Sequence, residues 1–180
     1  MLRRAAAEQL TDAGVESPDD EARWLLEEVS GLEGAELVVA GDDAATHQER
    51  THLAALVQRR IAGEPIQYVL GSWSFRGLDL FVDRRVLIPR PETEIVVEAA
   101  LADMEDRGIR RGRADRWSAA LTSYPVADLG TGSGAIALAL AAELSDAEVW
   151  AVDVDVDALT VARANVAGAG SLGARMRIAQ

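Results

Sequence analysis

The 180-residue chain contains no cysteine. Disulfides, thiolate metal ligands and a cysteine nucleophile are therefore excluded, and the composition fits a cytoplasmic protein. Histidine is almost as scarce. His47 and His52 are the only two, five positions apart on a predicted helix and hence on different faces, which argues against a metal site. Aromatic residues make up 4% of the chain. No apolar run approaches the roughly 20 residues that span a bilayer, and no internal repeat is visible. Met1-Leu2-Arg3-Arg4 is basic, but Ala5-Ala6-Ala7 meets Glu8 at once, without the apolar stretch of a signal peptide. Net positive charge is also missing. A formal charge of −12 disfavours direct nucleic-acid binding through the phosphate backbone. The acidic residues are spread along the chain and read as a solvated surface, or alternatively as a field that steers a basic protein partner. The local exception, Arg107 to Arg116, reads as a solvated loop or, alternatively, as a contact surface for a partner or RNA.

An apolar content of 49% suffices for a core, and the pattern divides the chain into three stretches. Residues 1–64 read as a small all-helical domain. Helix signals include Ser17-Pro18-Asp19-Asp20, with an N-cap, a first-position proline and acid in the first turn. Thr46-His47-Gln48-Glu49 has capping-box spacing. Residues 65–90 are crowded with Tyr68, Trp73, Phe75, Phe81 and aliphatic residues, punctuated by Gly71 and Gly77, and read as a β-hairpin linker. Residues 91–180 read as a helix from Pro91 to about Met104, then strand, helix, strand, helix and strand. The fold class is α/β, with the last stretch forming the first half of a Rossmann-like sheet.

The densest signal lies in that half. Val126 to Leu129 form a short apolar strand bounded by Pro125 and Gly130. Gly130-Thr131-Gly132-Ser133-Gly134 follows, and glycines at alternate positions let a ligand or another backbone approach closely. Ile136, Leu140 and Leu144 then recur at helical spacing. A second strand, Ala147 to Val152, ends in Asp153, 23 residues after Gly130, near the spacing at which an acidic side chain accepts hydrogen bonds from a ribose. Three readings fit: a turn without ligand, a dinucleotide site through Gly130-x-Gly132-x-x-Ala135, and an S-adenosyl-L-methionine site. Asp128, expected near the mouth, weighs toward the third. A carboxylate there repels a pyrophosphate and suits an ammonium and a sulfonium.

Two further segments carry a resemblance. Gly63-Glu64-Pro65-Ile66-Gln67-Tyr68-Val69-Leu70-Gly71, and Leu87-Ile88-Pro89-Arg90-Pro91-Glu92-Thr93-Glu94, closely resemble the HemK/PrmC family of protein-(glutamine-N5) methyltransferases. The loop from Asp128 to Ala135 fits the same family, as does Ala151-Val152-Asp153 leading to Ala162-Arg163-Ala164-Asn165. The resemblance implies S-adenosyl-L-methionine as cofactor and peptide chain release factors as partners, methylated on the glutamine of a Gly-Gly-Gln loop. It places Gly130, Thr131, Gly132, Ser133 and Gly134 around the cofactor, Asp153 on its ribose diol and Asp128 near its amino group. Arg90, Pro91, Glu92 and Thr93 become part of a wall between cofactor and substrate, or else simply cap the following helix. The family's Asn-Pro-Pro-Tyr motif, whose Asn side chain and Pro carbonyl hold the substrate amide, does not occur in the 180 residues. No catalytic residue is therefore assigned. The expectation is an N-terminal part of a monomeric parent enzyme, inactive alone. A release-factor binding module and a piece of an NAD-dependent oxidoreductase are the alternatives.

Overall fold

A computed structural model of the chain describes residues 2–40, 45–106, 124–145 and 147–180. The arginine-rich stretch from Arg107 to Arg116 lies outside them. Two compact units are present, Met1–Gly71 and Ser72–Gln180.

The first unit is helical: α1 (Leu2–Asp12), α2 (Pro18–Ser30), α3 (Ala35–Ala40), α4 (His47–Ile61) and α5 (Ile66–Leu70). Its core gathers Leu10, Leu25, Leu26, Leu53, Leu56 and Val57 with Ile66 and Val69. The capping box at the start of α4 is complete. The Glu49 N–H donates to Thr46 Oγ1 at 3.2 Å, and the Thr46 N–H donates to Glu49 Oε2 at 2.5 Å. Ser17 stands at the N-cap of α2, but its side chain makes no cap bond. Glu21 of α2 is 7% exposed and takes a forked pair from Arg60 of α4, at 2.6 and 3.2 Å. A buried carboxylate is tolerable only with such a partner.

The hairpin stretch is shorter than the sequence reading made it. Ile66–Leu70 form the one-turn α5, stopped by Gly71 at φ 76°, and Arg59 donates to the carbonyls of Tyr68 and Val69 to hold it on α4. The hairpin itself, β1 (Ser72–Phe75) and β2 (Leu78–Phe81), belongs to the second unit. Its two-residue turn, Arg76-Gly77, has positive φ at both positions, 49° and 72°, as the strand twist of a tight hairpin requires. An arginine pays about 1 kcal/mol for that conformation. Its side chain offsets the strain by bonding Glu98, Glu143 and the Glu94 carbonyl.

The rest of the second unit holds α6 (Thr93–Asp106), β3 (Tyr124–Leu129), α7 (Ala135–Glu143), β4 (Ala147–Val152), α8 (Val156–Gly168), a 3-10 turn (Gly170–Arg175) and β5 (Met176–Ala179). The three strands are parallel in the order β3-β4-β5, with Val126 beside Val149 and Val149 beside Met176. Helix α7 is apolar on every side and sits in the core with Val97 and Leu101 of α6, Val149 and Ala151 of β4, and Phe75 and Leu80 of the hairpin. It carries no acid in its first turn and no base in its last. Both ends are completed from elsewhere. Arg175 donates to the carbonyls of Ala141 and Leu144 at one end. Asp128 takes an N–H at the other. The Arg175 cation matches the helix dipole at its end, and the Asp128 oxygen pairs an N–H that would otherwise have no partner at the other. Among the described residues no helix is long and apolar enough to cross a membrane.

Candidate functional site

The loop between β3 and α7 lies at the carboxyl ends of the strands, where open α/β sheets bind ligands. Gly130, Gly132 and Gly134 have φ of 79°, 56° and 84°, a region that strains any residue with a Cβ. The loop is braced by bonds within the protein. The N–H groups of Gly130 and Thr131 both donate to the Val152 carbonyl at 2.8 and 3.0 Å, and that of Gly134 to the Thr131 carbonyl at 2.8 Å. The Gly132 N–H donates to Asp153 Oδ2 at 2.9 Å. A pyrophosphate cradle depends on loop N–H groups that are free to point at the ligand. Here four of them are already committed.

Asp153 ends β4 and is partly exposed. Its Oδ1 accepts from the Asp155 N–H at 3.0 Å while Oδ2 serves Gly132. The backbone N–H groups of Asp155 and Gly132 hold its carboxyl below the usual aspartate range, so it is ionised at neutral pH. Each oxygen keeps acceptor capacity for a further donor. Asp155 in turn caps α8 by accepting from the Asp157 N–H at 2.8 Å. Two apolar side chains flank these groups on the strand ends, Leu129 at 77% and Val154 at 85% exposure.

Asp128 differs from the sequence expectation. Instead of standing at the mouth it is 8% exposed, and its Oδ2 accepts from Thr131 Oγ1 at 2.7 Å and from the Ala137 N–H at 3.1 Å. Ala137 is the third residue of α7, so Asp128 supplies the cap that Gly134, lacking a side chain, cannot. Burial pushes its carboxyl above the usual range, against the opposing pull of Thr131 and Ala137. Thr131 and Ser133 are buried as well, at 6% and 3% exposure.

Asn165 of α8, which the sequence reading left without a role, joins the loop from behind. It is 7% exposed and bonds both the Ser133 carbonyl and the backbone of Phe81. The loop, Asp128, Asp153 and Asn165 thus form one bonded assembly. Arg90 and Glu92 are exposed, and among the described residues no hydrogen bond joins Arg90, Pro91, Glu92 or Thr93 to the loop. Within the same residues no group of three or more His, Asp or Glu could hold a metal ion.

A strand, a braced glycine loop, a helix and a second strand followed by an acid make up the first half of a Rossmann-like nucleotide-binding sheet. Residues 117–178 match the methyltransferase small domain, and residues 1–71 match the PrmC N-terminal domain. Relatives named release factor glutamine methyltransferase include those of Neisseria gonorrhoeae (41% identical, covering 90% of this chain and 52% of the relative), Escherichia coli (41%, 83% and 49%) and Deinococcus radiodurans (37%, 94% and 56%). The chain belongs to the release factor glutamine methyltransferase family. It spans about half the length of the curated relatives it matches.

Proposed function

We propose that this chain carries the cofactor-binding half of an S-adenosyl-L-methionine-dependent methyltransferase that acts on the side-chain amide nitrogen of a glutamine in peptide chain release factors. The names of the relatives support the substrate. The observation that carries the cofactor is the internal use of the loop N–H groups beside a partly exposed, ionised Asp153. Such a site has little to offer a pyrophosphate. It suits a nucleoside whose diol donates to Asp153, with Gly130 to Gly134 shaping the wall beside it. On this reading Asp128 holds that wall from within, by accepting from Thr131 and Ala137.

When bound, the cofactor supplies a methyl group on a positively charged sulfur. The residues here bind and orient; the proton that the amide nitrogen gives up as it gains the methyl is assigned to none of them and passes to solvent. A glutamine amide nitrogen is a poor nucleophile because its lone pair is delocalised into the carbonyl, so the rate depends on positioning. The segment from Leu87 to Glu94 and the helical unit are proposed to face the release factor.

Titrating S-adenosylhomocysteine and NAD separately into this chain tests the reading by calorimetry. Saturable binding of S-adenosylhomocysteine, abolished by Asp153→Ala, is expected, with no heat from NAD. Binding of NAD alone would reverse the assignment.

A further inference from the structure

Helix α8 is built of alanine, valine and leucine on its buried side, except at Asn165. Asparagine is a poorer helix former than alanine by about 0.6 kcal/mol, and a buried amide is costly unless its hydrogen bonds are made. At Asn165 they are all made. Oδ1 accepts from the Phe81 N–H at 2.7 Å. Nδ2 donates to the Phe81 carbonyl at 2.9 Å and to the Ser133 carbonyl at 2.8 Å. Toward Phe81 the side chain acts as a neighbouring strand would, offering one donor and one acceptor to the free edge of β2. Its remaining hydrogen reaches the glycine loop.

We propose that Asn165 is a positioning residue, one amide that fixes the glycine loop and the exit of the hairpin to each other and so sets the shape of the ligand face. The cofactor part of this statement rests on the function proposed above. Phe81 is followed by Val82, which is fully buried, and the chain then leads to the segment from Leu87 to Glu94. The tip of the hairpin is held independently, by Arg76 on Glu98 and Glu143. With the tip fixed, the Asn165 contact decides where the exit lies relative to Ser133. No other side chain of this size serves. Aspartate presents an anionic oxygen to two carbonyls, and leucine leaves three backbone groups unpaired.

Asn165→Asp and Asn165→Ala test the proposal, with Val97→Ala as a control that loosens the same core from α6 without touching the loop. The first readout is amide hydrogen exchange without ligand. Exchange in residues 132–137 and 80–86 is expected to rise together, by about tenfold in Asn165→Asp, as fits the loss of a hydrogen bond. Val149 to Val152 should stay protected. A rise confined to α8, or an equal rise throughout the unit, overturns the proposal. The second readout is the affinity for S-adenosylhomocysteine, measured where each variant is fully folded. A loss of about tenfold in Asn165→Asp and less than twofold in Val97→Ala is expected. Equal losses in the two would reduce Asn165 to a core residue. If the unaltered chain binds no S-adenosylhomocysteine, the cofactor reading falls, and the exchange result still decides whether Asn165 positions the loop.

Discussion

The loop from Asp128 to Ala135 and the segment from Leu87 to Glu94 both carry the family resemblance, and with the first residues of the helix that follows each they are built in opposite ways. In the loop, polar groups meet protein partners, and Thr131 and Ser133 are almost wholly buried. In the segment, Leu87, Ile95 and Val96 are 76%, 70% and 55% exposed. Shape in the loop is held by internal bonds, so a change there is felt by the fold. Exposed apolar side chains such as these gain nothing for the stability of this fold. One region is finished before any ligand arrives, whereas the other presents its apolar side chains to solvent.

The contrast is broken most severely at Asp128. Asp128→Leu leaves the Thr131 hydroxyl and the Ala137 N–H buried without an acceptor, and a loss of about 3 kcal/mol is expected in urea unfolding of the second unit. Gly132→Ala should cost about 1–2 kcal/mol in the same assay. A Cβ there meets nothing within 4 Å, so the cost is purely that of holding φ at 56°. A subtler effect is in pH. Because burial raises the folded-state pKa of Asp128, its contribution to stability is greatest below the ordinary aspartate value of 3.8 and is lost as pH rises through the raised value. Asp128→Asn keeps an acceptor oxygen and removes that titration. Melting temperatures across the acidic range should therefore show a flatter decline with rising pH; an unchanged slope would mean that Asp128 ionises freely. Asp153 has the opposite sign, its contribution lost as pH falls through its depressed value. The smallest effect is expected on the exposed side. Leu87→Ser should shift stability by no more than about 0.5 kcal/mol while weakening capture by a release factor in a pull-down.

What could be read in advance was local. The Thr46 capping box, the Gly77 turn and the strand–loop–helix order depend on residues a few positions apart. The one-turn α5 was missed although Pro65 and Gly71 bound it, because the apolar crowding around it resembles a strand. Ile136, Leu140 and Leu144 at every fourth position marked one face of α7, but the burial of Ala137, Leu138, Ala139 and Ala141 on its other sides comes from packing with α6, β4 and the hairpin. The inward turn of Asp128 follows from α7 needing a cap that Gly134 cannot give. The roles of Asn165 and Arg76 were hidden for a simpler reason. Asn165 stands in a segment that resembles the family, but its partner Phe81 and the Arg76 partner Glu143 lie far away along the chain.

That separation has a kinetic consequence. Arg76 meets Glu143 across 67 positions, and Asn165 meets Phe81 across 84. Closing such loops has an entropic cost that is repaid only once both partners stand on formed elements. The hairpin is therefore expected to dock late in folding and to leave early in unfolding. Stopped-flow measurements on Asn165→Ala should show an unaltered refolding rate and a faster unfolding rate. A slowed refolding phase would place the hairpin in the folding nucleus instead. On the expected order, the time the ligand face stays assembled is governed by the residence of a ten-residue hairpin, Ser72–Phe81, on the sheet domain.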